Sequence, residues 1–416
     1  MDKNSILEAL SDRTKWEAFL TYKTERRHLD SEEQKLLEEY IKSEKYVSAC
    51  ETIKAGKFPG EYAVKKFINN SGTKKKRVVY SYSDDVNVVL KFIAHYLYVY
   101  DNNLEENCYA FRKKHGVKQA LRRLTGNKKL QGMYCFKADI HDYFNSIDVP
   151  LLLQKMEFIK EDDPLLYGVF ERILLEKRVQ FSGHTIMEAH GAMAGIPVAP
   201  FFANIYLQEV DKEFKDANIE YFRYSDDILI FATSKEQLEK YIEMFYGLLK
   251  KHKLTINPSK VTIKAPGEKV DFLGFSYEKG KLDLSENTKK KIKGKIKRKA
   301  EALRRWQRKK GLSQEKAAIG FINAMNKKFF GYGNEDEFTW ERWFFPNLTV
   351  VDGLKEVDHY MQQYIRYCVT GRHYKGNYRI TYEQMKKWGY VNLVHAFYEY
   401  HIGTNITDNG YDKSYR

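Results

Sequence analysis

The chain has 416 residues, of which 43% are hydrophobic and 15% aromatic, so it can form two or three domains and is not disordered. Its formal net charge of +15 favours nucleic acid as the partner. Four dispersed cysteines form no CxxC pair, which argues against structural zinc and suits a reducing cytosol. Without a signal-peptide core or a long apolar run, we expect a cytoplasmic protein that does not span a membrane.

The secondary-structure pattern changes along the chain. Residues 1–60 are charged and have a helical pattern, and residues 61–135 mix short strands with helix and carry the basic cluster "KKKR". Residues 136–280 alternate strand-like and helix-like segments, and residues 281–416 are largely helical, with a strongly basic beginning. These patterns predict an α+β protein whose domains follow the same four ranges.

The tetrapeptide YSDD occurs twice, and the first copy, at Tyr82–Asp85, has the pattern of a helix start. Ser83 stands where an N-cap would stand, and the two aspartates fall in the first turn, where negative charge complements the helix dipole. Apolar residues follow at spacings of three and four. We therefore predict a structural role for this copy.

The second copy, at Tyr224–Asp227, lies between two runs rich in β-branched and aromatic residues, "IEYFRY" and "ILIFA". This pattern predicts strand, tight turn and strand. Two neighbouring carboxylates at the tip of an apolar hairpin repel each other unless something neutralises them. A bound divalent cation is the simplest explanation.

Asp139 supplies a third carboxylate, at the end of the strand-like run "YCFKA". Two-metal phosphoryl transfer generally needs ligands from more than one strand. Asp139 and Asp226 would bridge two ions, and Asp227 would be a weaker ligand or an electrostatic partner. Taken alone, Asp139 could equally be an ordinary aspartate at a helix N-terminus.

At this point the sequence resembles the reverse transcriptases over residues 65–280. "FKADIHDYFNSID", "GIPVAPFFANIYL", "RYSDDILIF", "KLTINPSKV" and "VDFLGFSY" are similar to their palm motifs and primer grip, in the same order. "GTKKKRVVYSYSDDVNVVLKFI" and "NCYAFRKKHG" are similar to the fingers motifs of bacterial members. The resemblance implies a right-hand polymerase with an N-terminal helical extension (1–60), fingers (61–135), palm (136–280) and a basic thumb with a C-terminal appendage (281–416).

The resemblance also implies the cofactor, the substrates and the site residues. These are two Mg²⁺ ions, with Mn²⁺ as an alternative, together with dNTPs, an RNA template and a DNA product. The implied catalytic residues are Asp139, Asp226 and Asp227, and the metal ligands are these three with Ile140. The dNTP-binding residues would be Lys75, Arg77, Phe144 and Lys260, and the primer grip would be Phe272, Leu273, Gly274 and Phe275.

Two positions refine this resemblance. Phe144, five residues after Asp139, would be a steric gate against a ribose 2′-hydroxyl, which favours dNTPs over NTPs. Pro197 is followed by Val198 and Ala199, where many members have Gln-Gly, and this departure indicates a divergent branch. The sequence is most similar to stand-alone bacterial members of the abortive-infection and defence-associated types. They imply a structured noncoding RNA partner and a role in antiviral defence.

The basic run that begins near residue 289 has few acids, which favours a helix that follows a phosphate backbone over a merely solvated face. The predicted nucleic-acid-binding residues are Lys289, Lys290, Lys293, Lys297, Arg298, Arg304, Arg305 and Arg308.

Two other functions stay open at this point. One is a template-independent nucleotidyl transferase on the same palm, and the other is an RNA-binding scaffold whose palm is degenerate. The intact aspartate trio argues against the scaffold. The primer hydroxyl would come from a partner RNA or, alternatively, from Tyr411 or Tyr415 in the polar tail.

Overall fold

The structure is a computed structural model that describes residues 5–26, 29, 31–69, 76–331 and 339–408. The chain divides into two compact units, with the boundary between Glu268 and Lys269. Lys75, Tyr411 and Tyr415 lie outside the described residues. No helix in the described ranges is both long enough and apolar enough to cross a membrane.

The first unit contains thirteen of the α-helices in the described residues. They are α1 (Ile6–Ser11), α2 (Arg13–Arg26), α3 (Ser31–Lys42), α4 (Lys45–Lys54), α5 (Asp84–Tyr96), α6 (Val117–Gly126), α7 (Tyr143–Ser146), α8 (Val149–Lys155), α9 (Glu157–Asp162), α10 (Pro164–Leu175), α11 (Ala199–Tyr206), α12 (Gln208–Asp216) and α13 (Lys235–Lys251). Short 3₁₀ turns occupy Leu97–Asn103, Lys128–Gly132 and Pro258–Lys260.

Two four-stranded sheets complete this unit. The first has the order β2-β1-β4-β5 and the second β6-β7-β3-β8. Their strands are β1 (Ala63–Asn69), β2 (Lys76–Ser81), β3 (Tyr134–Asp139), β4 (Arg178–Phe181), β5 (His184–Met187), β6 (Tyr221–Tyr224), β7 (Asp227–Ala232) and β8 (Thr262–Lys264). In the first sheet β1 and β4 run parallel, whereas every pair in the second sheet is antiparallel.

The first YSDD copy begins helix α5, as predicted. Ser83 is the N-cap residue, although its side chain makes no capping hydrogen bond, and Asp84 and Asp85 form the first turn. Asp85 pairs with Lys45 of α4 at 2.9 Å. The apolar face of the helix is buried against the N-terminal helices, where the Phe92 ring stacks on Trp16 at 4.0 Å. This copy is therefore part of the packing.

The antiparallel sheet β6-β7-β3-β8 contains the second YSDD copy. Helices α12 and α13 cover this sheet, which accounts for its apolar strands. Ile228, Leu229 and Ile230 of β7 are fully buried, and the Phe136 ring of β3 meets Phe245 of α13 edge-on at 6.2 Å. A burial of this kind fixes the register, because a slip by one residue would turn the apolar side chains away from their partners.

The second unit combines a small sheet with helices. Its strands β9 (Val270–Phe272), β10 (Phe275–Glu278) and β11 (Lys281–Leu284) pair in the order β11-β10-β9. Its helices are α14 (Glu286–Lys310), α15 (Gln314–Phe330), α16 (Trp340–Phe344), α17 (Asp352–Thr370), α18 (Tyr382–Lys387) and α19 (Leu393–Asp408), with a 3₁₀ turn at Lys375–Arg379. Helices α14, α15 and α17 pack against one another.

The mixture of helices and antiparallel sheets confirms the predicted α+β class and is consistent with a right-hand polymerase. The assignment of the four ranges to extension, fingers, palm and thumb stays a prediction.

Candidate polymerase active site

A tight turn at Ser225 and Asp226 joins β6 to β7, as the apolar flanks predicted. Tyr224 and Asp227 are paired across the hairpin, so only two residues form the loop. Ser225 has a φ of 60°, a left-handed conformation that a residue with a Cβ adopts at a cost. The turn therefore holds the two aspartates at the hairpin tip.

The register of the sheet places the third carboxylate, that of Asp139, beside the other two. Asp139, the last residue of β3, is paired directly with Asp227. The next residue, Ile140, donates its backbone N–H to the carbonyl oxygen of Asp226 at 3.0 Å. Because the Ile140 side chain is apolar, its own backbone carbonyl is the only oxygen it could offer to a cation.

The three carboxylates affect one another electrostatically. Burial raises the pKa of Asp226, and the negative charge of Asp139 raises it further. Burial also raises the pKa of Asp227 to about 6, with Lys137 opposing the shift and the charges of Asp226 and Asp139 adding to it. Crowded, partly buried carboxylates of this kind favour a cation nearby.

Two lysines are the cations that lie against these carboxylates. The backbone N–H of Asn257 donates to the Asp139 carbonyl at 2.8 Å, which brings the turn Pro258–Lys260 beside the end of β3. Lys260 Nζ then lies 2.5 Å from Asp139 Oδ2. Lys137 Nζ lies 3.2 Å from Asp227 Oδ1. Lys137 is not among the residues predicted from the sequence, although its position two residues before Asp139 places both side chains on one face of the strand.

The residues present fit a hard divalent cation by the chemistry of their donors, because carboxylate oxygens are the ligands that Mg²⁺ prefers. Their charges converge, as the raised pKa values of Asp226 and Asp227 show. Within the described part of the chain, however, no three Asp, Glu, His or Cys side chains form a closed set of ligands. A cation that binds Asp139 Oδ2 and Asp227 Oδ1 would displace Lys260 and Lys137 from these oxygens.

Phe144 lies on the short helix α7, which follows Asp139 closely in the sequence. Its backbone carbonyl accepts a hydrogen bond from the Ala192 N–H at 2.8 Å. Its ring meets Phe111 edge-on at 6.3 Å, and Phe111 in turn lies 6.3 Å from the Tyr224 ring. Phe111 is 41% exposed and has a φ of 58°, a strained backbone conformation. Its accessible ring lies between Phe144, the predicted steric gate, and the hairpin. The sequence analysis did not identify Phe111.

Arg77 extends the site towards the first sheet. It lies on β2 and is exposed, and its positive charge lowers the pKa of Asp226, so the structure brings it within electrostatic reach of the carboxylates. On the same sheet, Glu188 accepts hydrogen bonds from the Lys65 ammonium and the Tyr80 hydroxyl, contacts that hold the end of β5 to β1 and β2.

The predicted primer grip belongs to the second unit. Leu273 and Gly274 form the turn between β9 and β10, both with positive φ, at 54° and 90°. The rings of Phe272 and Phe275 are buried in the core of this unit, where Phe275 packs on Phe344 at 5.3 Å. The two rings therefore pack the core of this unit, and the assignment of this turn as a primer grip stays a prediction.

The basic run forms α14, and three of its predicted nucleic-acid-binding residues are engaged within the protein. Arg304 is buried, and its guanidinium donates to the carbonyl oxygens of Cys368 and Val369 at the end of α17. Lys289 and Lys293 each lie 2.5 Å from Glu356 of α17. These three side chains are therefore buried or paired within the protein, and nucleic-acid binding by the run stays a prediction. The exposed members are Lys290, Lys297, Arg298, Arg305 and Arg308.

Carboxylates on two paired strands of an antiparallel sheet, with a lysine beside them, are the features of a polymerase-type nucleotidyltransferase. The reverse transcriptase (RNA-dependent DNA polymerase) family matches residues 65–277, or 213 of the 416 residues. The chain therefore belongs to the reverse transcriptase family. A search of curated proteins finds no match to the sequence.

Among solved structures, the chain is similar to three telomerases. The apo telomerase of Candida tropicalis has 12% identity and a TM-score of 0.46, over 79% of this chain and 69% of that one. The Candida albicans telomerase, in complex with a TWJ fragment of telomeric RNA, has 10% identity and a TM-score of 0.44, over 84% and 66%. A Candida tropicalis apo telomerase truncated from the C-terminal domain has 14% identity and a TM-score of 0.42, over 54% of each chain. These values are too low to transfer a function.

Proposed function

We propose that this protein is an RNA-directed DNA polymerase that adds dNTPs to a primer hydroxyl with two divalent cations. The observation that carries the proposal is the direct pairing of Asp139 with Asp227, with Asp226 held at the adjacent hairpin tip. Family membership supports the same activity.

The proposed site would use its residues as follows. Asp139, Asp226 and Asp227 would hold the two Mg²⁺ ions through their carboxylates, together with the backbone carbonyl of Ile140. The bound cations would supply Lewis-acid activation of the primer 3′-hydroxyl and neutralise charge on the triphosphate. In the reaction, a bond forms between the primer 3′-oxygen and the α-phosphorus, and the bond to the leaving pyrophosphate breaks.

The basic residues near the carboxylates would act on the triphosphate. Arg77, and Lys75 beside it in the sequence, would meet the negative charge of the nucleotide. Lys260, which lies against Asp139 in this structure, would be close enough to meet the departing pyrophosphate and donate a proton to it. The ring of Phe144 would fill the space that a ribose 2′-hydroxyl requires, so the enzyme would select deoxyribonucleotides.

A primer-extension assay tests this proposal. The purified chain, supplied with an RNA template, an annealed DNA primer, dNTPs and Mg²⁺, should extend the primer to the end of the template. Extension with one dNTP type alone, irrespective of the template base, would identify an untemplated transferase instead. Absence of any incorporation, in protein that binds RNA, would support a degenerate scaffold and overturn the proposal.

We further propose a cytoplasmic role in defence against phage with a structured noncoding RNA as template. This role rests on the resemblance of the motifs to defence-associated bacterial reverse transcriptases. The test is to sequence the RNA and DNA that copurify with the protein and to measure phage plating on cells that express it. Equal plating with wild type and with Asp226→Asn/Asp227→Asn would contradict a defence role that depends on synthesis.

A further inference from the structure

The stretch 359–382, which we call the tyrosine-rich segment, has an unusual composition. Its 24 residues include six tyrosines, four arginines or lysines and two histidines. It contains no aspartate, glutamate, phenylalanine or tryptophan. The segment lies beyond the residues that match the reverse transcriptase family. It contains the second half of α17, the 3₁₀ turn Lys375–Arg379 and the first residue of α18.

Within the described residues, the acids near the segment form no ion pair with its arginines and lysine. Asp358 is buried and accepts hydrogen bonds from the Tyr390 hydroxyl and the Leu393 N–H. Glu383 pairs with Lys386 at 3.4 Å. Glu301 of α14, whose charge acts on Tyr364, also lies 4.0 Å from Lys297. The segment therefore keeps its positive charge.

Part of the segment is a continuous row of rings along α17. Lys293 Nζ lies over the Tyr360 ring at 5.4 Å, and Tyr360 contacts Tyr364 at 4.8 Å. The His373 ring then lies 5.0 Å from Tyr364 and stacks on Tyr367 at 4.9 Å, with an angle of 14° between the planes. These ring contacts hold His373, at the start of the exposed loop that follows α17, against the helix.

Two further rings of this loop are exposed but are held in place. The Tyr378 ring is 65% exposed, and the Arg366 guanidinium lies 5.0 Å from its centre. Arg366 is itself buried and donates to the Ile380 carbonyl, so it is a fixed support. The Tyr374 ring is 46% exposed and lies against Gly376 and 5.9 Å from Arg372. Supported, accessible rings among cations are the features of a single-strand binding surface, because bases stack on the rings while the cations meet the phosphates.

We propose that the tyrosine-rich segment binds single-stranded RNA through Tyr374 and Tyr378, with Arg372, Lys375 and Arg379 on the backbone. Tyrosine favours RNA over DNA because its hydroxyl can exchange a hydrogen bond with a ribose 2′-hydroxyl, whereas a phenylalanine ring only stacks. The proposal deepens the proposed function and rests on it for the choice of RNA, since a reverse transcriptase must hold the strand that it copies. Stacking and charge carry no base preference, so the surface would hold RNA of any sequence.

The test is fluorescence anisotropy of the full-length protein with oligouridine and oligodeoxyuridine of about 20 nucleotides, longer than one single-strand site. EDTA is present and no nucleotide is added, so the result does not depend on polymerisation. The variants are Tyr374→Ala/Tyr378→Ala and Tyr374→Phe/Tyr378→Phe. The matched control is Tyr398→Ala, which removes a comparably exposed tyrosine of α19 outside the segment. Circular dichroism confirms that each variant is folded.

We expect the alanine pair to weaken oligouridine binding by about fivefold or more per ring, and the control to bind as wild type. The phenylalanine pair should retain oligodeoxyuridine binding and lose part of the preference for RNA. Wild-type affinity of the alanine pair for oligouridine would overturn the proposal. Equal or tighter binding of oligodeoxyuridine by the wild-type protein would overturn the assignment to RNA. If primer extension fails but the expected binding results are obtained, the proposed polymerase function is contradicted and the RNA-binding proposal is not.

Crosslinking provides a second measurement that does not rely on a variant. Oligouridine that contains 4-thiouridine is irradiated with the wild-type protein, and the modified peptides are identified by mass spectrometry. Attachment to the peptide that contains Tyr374 and Tyr378 supports the proposal. Attachment exclusively to α14 or to the first unit would contradict it.

Discussion

Arg223 and Asp211 form a bidentate ion pair in which neither side chain is accessible to solvent. Arg223 Nε lies 2.7 Å from Asp211 Oδ1, and Nη2 lies 2.5 Å from Oδ2. The Arg223 guanidinium also donates to the Cys108 sulfur at 3.0 Å. Because Arg223 immediately precedes Tyr224 on β6, this pair anchors the strand that leads into the aspartate-bearing turn to helix α12.

Removing one partner of this pair should destabilise the protein strongly. We expect Arg223→Met to lower the free energy of unfolding by about 3–5 kcal/mol, because Asp211 would stay buried without its partner. The double variant Arg223→Met/Asp211→Leu should recover most of this loss, since no isolated charge remains. Urea unfolding measures both. A double variant no more stable than the single one would show that hydrogen bonds to Cys108 and its neighbours matter more than the charge pair.

The two YSDD copies provide a matched comparison of catalysis. Asp226→Ala/Asp227→Ala should abolish DNA synthesis, because loss of metal ligands removes several kcal/mol of transition-state stabilisation. Asp84→Ala/Asp85→Ala should leave the rate within about tenfold and reduce stability by about 1 kcal/mol, since the first-turn charges of α5 and an exposed ion pair with Lys45 are lost. Primer extension by two folded variants is the measurement. Equal loss of synthesis in both would overturn the assignment of the two copies.

Phe144→Ala should admit ribonucleotides, because the ring is proposed to occupy the space beside the sugar. The ratio of rNTP to dNTP incorporation should rise, with little change in dNTP incorporation. Phe111→Ala is the comparison, because it removes the neighbouring ring and leaves Phe144 in place. If Phe144→Ala leaves the ratio unchanged, the gate lies elsewhere in the site.

The effect of charge reversal on α14 should depend on which face of the helix carries the substitutions. Reversing Lys290, Lys297, Arg298 and Arg305, which are exposed, should weaken nucleic-acid binding and reduce the slope of log K against log salt by about 0.7–0.9 per lost phosphate contact. Lys289→Gln/Lys293→Gln is the control, because both lysines are paired with Glu356. An unchanged slope in the fourfold variant would show that this face does not contact phosphates.

His252 should make stability depend on pH. Burial lowers its pKa, with Lys155 adding to the shift, while Glu209 and a hydrogen bond to the Leu248 carbonyl oppose it. As pH falls through the ordinary histidine pKa of about 6.5, the unfolded chain binds a proton that the folded chain does not. Stability should therefore fall below that pH.

The contribution of His252 can be isolated by substitution. His252→Gln should reduce the pH slope of the free energy of unfolding, by at most about 1.4 kcal/mol per pH unit. His184→Gln, at an exposed histidine of β5, is the control. Identical slopes in wild type and His252→Gln, between about pH 6.5 and pH 5, would contradict the assignment.

Local sequence patterns predicted the parts of the fold that depend on near neighbours. The helical spacing after Ser83 and the β-branched runs around Asp226 determine one helix and one hairpin, and both are observed. The pairing of Asp139 with Asp227 depends on the register of two strands far apart in the chain, which no local pattern determines. That Asp139 shares a site with the second YSDD copy was predicted from the chemistry of a two-metal site and from the family resemblance, and the pairing itself was not predicted.

The errors on α14 have the same physical origin. Glu356 is distant in sequence from Lys289 and Lys293, so their neutralisation could not be seen in the run itself. Arg304 was different, because it follows Ile292, Ile296 and Ala300 at four-residue intervals and therefore continues the buried face. This helical period was the signal that could have excluded it from the binding residues.

Lys260 and Lys137 give the candidate active site its own counter-ions. Because these ammonium groups lie against Asp139 and Asp227, the carboxylates can stay together in the folded chain before any metal arrives. Chelation should consequently stop synthesis while the melting temperature changes little, in contrast to domains whose folding requires a metal. The resting enzyme would then survive metal starvation intact.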